Sequence, residues 1–415
     1  MKILKYFFLL LCFSGHAQTL TLEECYDFAK QNYPLIKRHN LIAKSKEYSL
    51  QNAAKGWLPQ IQIAGQATYQ NDVTQLPVKL PNMTIDPVSK DQYKIYVDVQ
   101  QNIYDGGMIA NQKKTATITS KIERQKTEVE TDQLEMRINQ IYFGILQTDA
   151  QIEQTYLTKA DLKNGLKKAK AQLENGVIYR SDVDVLKAQL VNLDQKDLEL
   201  KSTKKNFLQM LSLFIQKNLD ENTTLEKPAK ILIQAENKRA ELRLFDLQKL
   251  ALDQQKSNIN SRNLPRVAAF FQGGYGKPGF NMLKNEFNLF YIGGVRFNIP
   301  ISGYYTKRND MALVGIQEEE IETQKENFLF NLQFETIQNN NDLDKIQQFI
   351  EKDDELISLR ESIKTAALAQ LENGVITTND YLREVNELDR AKNQKITHEI
   401  QYLLTQYNLK AQLNQ

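Results

Sequence analysis

Cysteine is almost missing from this sequence, with Cys12 and Cys25 the only two in 415 residues. Cys12 falls in an apolar N-terminal stretch, so one cysteine is left for the folded part and no internal disulfide framework can form. Histidine is also scarce, at three. Three histidines and one cysteine cannot make a structural zinc site of the usual kind, so no metal ligands and no cofactor are assigned. Neither sign of charge dominates, since 53 Lys and Arg face 51 Asp and Glu. Without a basic block, nucleic acid is not an expected partner. Long hydrophobic runs are lacking too, and mean hydropathy is −0.51. A bundle of membrane helices needs several apolar runs of roughly 18 or more residues, and the one apolar run lies at the extreme N-terminus. Gly and Pro, at 17 and 9, are too few for low-complexity linkers and leave room for long helices.

What is present begins with an export signal over residues 1–17. Lys2 and Lys5 supply the positive region, Tyr6 to Phe13 the apolar stretch, and Gly15-His16-Ala17 the small-residue cleavage pattern before Gln18. The apolar stretch is too short to cross a bilayer. Leu11 precedes Cys12 where lipoprotein processing wants a small residue, so acylation is not expected.

The rest is written twice. Leu173-Glu174-Asn175-Gly176-Val177-Ile178 recurs letter for letter as Leu371-Glu372-Asn373-Gly374-Val375-Ile376, an offset of 198. Asp182 and Asp380 follow the two glycines at equal spacing, and Leu58-Pro59 is echoed by Leu264-Pro265. Such self-similarity sets the architecture before any local reading does. The predicted plan is a first repeat over 18–217, an equatorial connection over 218–236 and a second repeat over 237–415. The stretch from Asn71 to Asp91, with three prolines, reads as an insertion in the first copy.

Each repeat reads as helix, two strands, very long helix, tight turn, shorter helix. The opening helix is predicted from Thr21 to Trp57, with Thr21 and Glu24 as a capping box. Long helices follow at Met108–Glu174 and Tyr304–Glu372, with return helices at Tyr179–Lys217 and Thr378–Leu413. Another helix is read at Asn237–Arg262. In the first long helix Leu134, Ile138, Ile141, Ile145 and Ile152 recur at three- and four-residue steps, a coiled-coil seam. Each long helix spans roughly 100 Å at 1.5 Å per residue, and matching it takes two shorter helices end to end. The second hairpin finds its missing partner in the N-terminal helix, so the chain closes cyclically.

Residues 60–70, 92–104, 266–276 and 286–300 alternate apolar with polar. Ile61, Ile63, Gly65, Ala67 and Tyr69 are one such set, and Tyr93, Ile95, Val97 and Val99 another. Period two with a fully polar opposite face fits membrane β-barrel strands, and it also fits a soluble antiparallel sheet with one buried face. Export and the tubular helix plan favour the membrane. Tyr69, Tyr93, Tyr104, Tyr275, Tyr291 and Tyr304 are candidates for an interfacial girdle, although strand propensity alone would also place Tyr there. Four strands cannot close a barrel, and an open edge in lipid strands backbone groups without partners. Three chains would give twelve strands, so a homotrimer is the physical requirement of this reading.

These residues resemble the TolC-type outer membrane factors. The resemblance rests on Leu22-Glu23-Glu24-Cys25 with Tyr33-Pro34, the two Leu-Pro strand starts, the Asp105-Gly106-Gly107 turn and the twin Leu-Glu-Asn-Gly tips. It implies a mainly α fold with membrane β: coiled-coil hairpins forming a periplasmic α-barrel below a trimeric twelve-stranded outer-membrane β-barrel. It further implies that Gly176, Val177, Gly374 and Val375 at the tips meet a periplasmic adaptor. The adaptor would link the duct to an inner-membrane transporter or type I secretion pump. Outer-membrane lipid is the other partner. By the same resemblance a pore constriction falls at Asp380, with Asp182 and Asp184 in the equivalent place on the first hairpin. Arg383 stands where the family has a second acid, so a latch between Arg383 and Asp380 is expected instead.

No catalysis is expected. Gly273-Gly274-Tyr275-Gly276-Lys277 lacks the hydroxyl residue and following helix of a phosphate loop. His39 and His398 have no nucleophile motif nearby. Glu318-Glu319-Glu320 reads as a solvated helix face. The rival classes are a periplasmic adaptor, which usually carries one hairpin rather than two, and a structural coiled coil.

Overall fold

The computed structural model describes residues 19–74, 87–233 and 238–413. The predicted export signal and most of the Pro-rich insertion lie outside the described residues. In chain order the elements are α1 (Leu22–Asn32), α2 (Lys37–Ala54), β1 (Gln60–Tyr69), β2 (Asp91–Tyr104), α3 (Met108–Glu174) and α4 (Arg180–Ile215). They continue with α5 (Ala240–Arg262), β3 (Arg266–Lys277), β4 (Asn288–Asn298), α6 (Tyr304–Glu372) and α7 (Thr378–Leu413).

Local chemistry explains most of the ends. The Thr21 N–H donates to Glu24 Oε2 at 2.9 Å and the Glu24 N–H returns to Thr21 Oγ1 at 3.2 Å, satisfying two donors that the first turn would leave bare. The opening helix is not continuous as the sequence predicts. Proline disfavours α backbone in the residue before it, and Tyr33 is extended (φ −62°, ψ 132°). A short 3-10 turn over Pro34–Ile36 intervenes before α2. The long helices α3 and α6 run 67 and 69 residues without a break. Among the described residues, no helix is long and apolar enough to cross a membrane.

The chain divides into two compact units that cut across the sequence repeats, each drawing on both halves of the chain. One unit holds α1, α4, α7 and the greater part of α3 and α6. Its largest core packs Leu22 and Cys25 of α1 with Ile138, Tyr142 and Phe143 of α3, Leu208 and Leu211 of α4, and Ile400, Leu403 and Tyr407 of α7. The Tyr142 hydroxyl, buried there, shares its proton between the carbonyls of Leu20 (2.8 Å) and Glu226 (2.7 Å). Those carbonyls flank the Leu20–Leu225 bridge, so the connection after α4 is pinned to the start of α1. A second core near the tips joins Leu162 and Ala169 of α3, Val183 and Leu186 of α4, and Tyr381, Leu382 and Val385 of α7.

The other unit contains the sheet, α2, α5 and the sheet-proximal ends of α3 and α6. Here Leu252 and Ile259 of α5 pack on Val314 of α6. The sheet order is β1-β2-β3-β4, antiparallel throughout. Strands β1 and β4 are its edges.

Candidate functional sites on the sheet and the hairpin tips

Cross-strand register decides which side chains share a face, because successive residues point to opposite sides. Ile61 pairs with Val99, Ile63 with Val97 and Ala67 with Tyr93. Val99 in turn faces Phe271 and Ile95 faces Tyr275. Phe271 faces Gly293, Gly273 faces Tyr291, and Tyr275 faces Leu289. All four alternating sets therefore fall on one face, whose strand residues are uncharged apart from Asp91 beside Tyr69 and Lys277 beside Tyr93. Among the described residues nothing covers it: Ile63 is 76% exposed, Leu289 85% and Val295 66%. Aromatic pairs stack along it, Phe271 with Tyr291 at 6.4 Å and Tyr275 with Phe287 at 5.5 Å.

One bulge matters to this face. Counting by twos puts Tyr104 with Asn102 on the opposite side, but the register shifts between them and Tyr104 pairs with Val267. An extra residue turns the strand over locally, carrying Tyr104 onto the apolar register line.

The opposite face is not fully polar as the sequence predicts. In the first copy Gln60, Gln62, Gln66 and Thr68 line it, yet β2, β3 and β4 add Tyr96, Phe270, Phe290 and Ile292. Alternation weakens in the second copy, where large residues occur on both parities.

The two hairpin tips fold alike. Gly176 and Gly374 have φ of 71° and 69°, backbone that glycine adopts freely. The Val177 N–H donates to Gln172 O at 2.9 Å and the Gly176 N–H to Leu173 O at 3.0 Å. Val375 and Gly374 repeat both bonds on Gln370 and Leu371 at the same distances. This is a Schellman close, in which a left-handed residue lets the chain recover the orphaned carbonyls. Asn175 and Asn373 add a side-chain bond of 2.8 Å to Ala171 O and Ala369 O. Val177 and Val375 are left 66% and 70% exposed.

The acids read as a constriction have local partners. Asp380 is the third residue of α7 and accepts from the Thr377 hydroxyl (2.7 Å) and N–H (3.2 Å), while its own N–H donates to Thr377 Oγ1. These bonds, and then Arg383, hold its carboxyl below the usual range. Asp182 accepts from the Tyr179 N–H at 3.1 Å in the same position of α4. The recurring Asp is thus a helix cap in both copies. Arg383 stands 3.7 Å from Asp380 and 3.2 Å from Glu384. Asp184 binds Lys187 at 2.8 Å, which lowers its pKa, with Arg180 at 3.8 Å.

Sequence reading missed the polar junction between the hairpins. Asp389 of α7, its side chain 13% exposed, accepts from Thr158 (2.7 Å) and Gln154 (3.3 Å) of α3 and binds Lys196 of α4 at 3.1 Å. Gln189 of α4 donates to Asn386 at 2.8 Å. Lys168 reaches Glu372 at 2.7 Å, and Lys364 pairs with Asp161. One signal was available: at the 198-residue offset Asp389 matches Val191, so the junction lies where the repeat is broken.

Comparison with known proteins agrees with the fold. The family model described as "Outer membrane efflux protein" matches residues 25–212. VceC, the outer membrane protein of the bacterial pathogen Vibrio cholerae, superposes with a TM-score of 0.68 at 15% identity, covering 94% of this chain and 95% of that one. The Campylobacter jejuni CmeC outer membrane channel gives 0.66 at 12%, covering 94% and 85%. The open-state MtrE outer membrane channel of Neisseria gonorrhoeae gives 0.66 at 10%, covering 94% and 88%. No curated protein matches the sequence. The fold class and the resemblance read from the sequence are thereby borne out: helical hairpins with four antiparallel strands, as in outer-membrane channels.

Proposed function

We propose that this chain, whose residues 25–212 match the outer membrane efflux protein family model and whose fold is that of outer-membrane channels, is the passive exit duct of a tripartite efflux or type I secretion machine. It sits in the outer membrane with its helices extending into the periplasm, and performs no catalysis.

The observation that carries this reading is the uncovered apolar face. Four strands set in register so that the alternate apolar residues of all four share one exposed side have an explanation if that side meets lipid. Edges β1 and β4 then need identical neighbours, because unpaired backbone in hydrocarbon costs several kcal/mol per group. Three copies close twelve strands. At the hairpin tips, Val177 and Val375 offer small apolar knobs beside side-chain-free glycines, which suits close approach by an adaptor's own helical hairpin. The adaptor would hand cargo on from an inner-membrane transporter.

Reconstitution tests the whole. A heat-modifiable trimer that conducts in planar bilayers, with spin labels at Ile63 and Leu289 reporting lipid, is the expected result. A stable monomer with those positions in water would overturn it.

A further inference from the structure

We propose that the barrel lumen of this chain favours amphipathic aromatic anions, bodies with a flat apolar ring and a carboxylate or sulfonate. The inference rests on the duct reading, since it takes the largely apolar face as the lipid side and the other face as water-filled.

Charge on that second face is one-sided. On its register lines Lys94, Arg266 and Arg296 stand against a single carboxylate, Asp98. None of the three cations forms an ion pair with a described residue. Asp98 is partly occupied, since Gln62 Nε2 donates to it at 2.9 Å. Three chains would triplicate an excess of two positive charges per chain within one lumen. Rings of Arg and Lys favour anions in a pore, and in a confined low-dielectric wall the effect is stronger than in open water.

The second observation is aromatic. A wall that only conducted water and ions would have no use for large apolar rings on its wet side, and an exposed apolar patch usually marks a binding surface. Here Tyr96 and Phe290 lie 6.5 Å apart, and Phe280 from the β3–β4 turn packs edge-on against Phe290 at 5.0 Å. Each aromatic level has its cation: Lys94 Nζ is 5.8 Å from the Tyr96 ring, and the Arg296 guanidinium 4.9 Å from that of Phe270. Glycine makes room for both levels. A Cβ at Gly274 would lie 2.5 Å from the Tyr96 Cβ, and one at Gly294 3.2 Å from the Phe270 ring. The repeated unit is therefore a ring with a cation beside it, set over bare backbone. Such a unit takes an aromatic body by stacking and its acidic group by charge. Neutral aromatics would gain only the first half and aromatic cations would be opposed by the second.

The test uses the full-length trimer in planar bilayers, with 1-naphthalenesulfonate and 1-naphthylmethylammonium as probes of one ring and opposite charge. The sulfonate is expected to reduce single-channel current at concentrations where the ammonium does not. Lys94→Gln with Arg296→Gln should weaken that block by roughly tenfold and shift the reversal potential in a KCl gradient toward cations. Phe290→Leu, which keeps apolar bulk, should weaken the block while leaving the reversal potential in place. Equal block by both probes, or no shift in the double variant, overturns the anion preference while the duct stands. A trimer that never conducts removes the duct reading and this inference with it.

Discussion

Thr377 and Asp380 cap each other: the hydroxyl donates to the carboxylate at 2.7 Å while the Asp380 N–H donates back to the same hydroxyl oxygen at 3.2 Å. Asp380 thus closes the first turn of α7, whatever further role it has in a pore. Its folded pKa is depressed, so its stabilising contribution is complete at neutral pH and is lost as pH falls through the acidic range. Thr377→Val should speed amide exchange over residues 378–381 at pH 7. The difference from wild type should shrink as Asp380 protonates, and a difference that grows on acidification would contradict the cap.

The inter-hairpin junction predicts a gating phenotype. Asp389→Ala leaves Lys196 without its acceptor and the Thr158 hydroxyl with the Gln154 carbonyl alone, a loss of about 2 kcal/mol for bonds to a charged group. We expect a larger single-channel conductance in Asp389→Ala than in wild type. Arg383→Ala should raise it less, because among the described residues the ion pairs of Arg383 lie on its own helix, at Asp380 and Glu384. The reverse order would move the latch from the junction to the tip.

Tip glycines allow structure and contact to be separated. A Cβ at Gly374 would touch no described residue within 4 Å, so its φ of 69° is the constraint that a side chain there must meet. Gly374→Val should cost about 1–2 kcal/mol for left-handed backbone, whereas Gly374→Asn should cost little. If Gly374→Asn keeps α6 and α7 intact by hydrogen exchange yet loses binding to the adaptor, the bare backbone is itself the contact. Retained binding would reduce the glycine to a turn.

The two sheet faces should respond oppositely to charge. Ile63→Lys puts an ammonium in lipid at roughly 2–4 kcal/mol near the bilayer midplane and should lower the yield of heat-modifiable trimer. Gln62→Lys, one residue away, should leave the yield unchanged. Equal effects at both sites would argue that neither side faces lipid.

Cys25 offers a folding probe. Burial pushes its thiol up to about 12, and it is fully enclosed in the α1 core. Maleimide labelling at pH 8 should be absent in the folded trimer and complete in denaturant; labelling of the native protein would show that α1 opens.

Legibility followed from how local each cause was. The tips were readable because Asn-Gly carries its own backbone requirement, and α3 because its seam repeats for many turns. Strand parity gave the exposed apolar set wherever a bulge did not intervene, and Tyr104 shows what a single extra residue does to that count. Phe270 and Phe290 were hidden for a different reason: they sit among apolar neighbours on both parities, so only pairing tells which side they take. Asp389 depends on Thr158 and Lys196, far away in sequence, and no window of residues contains that arrangement. The helix break at Tyr33 was within reach, since Pro34 announces it, but the helical periodicity on either side masked it.

Because Leu22 and Cys25 share one core with Ile400, Leu403 and Tyr407, that core cannot condense until nearly the entire polypeptide is available. Earlier segments can form local turns and hairpins, but the closing step joins residues almost four hundred positions apart, a costly loop to shut. A chain emerging amino end first must therefore wait with apolar surface unsheltered, in the condition that periplasmic chaperones bind and proteases attack.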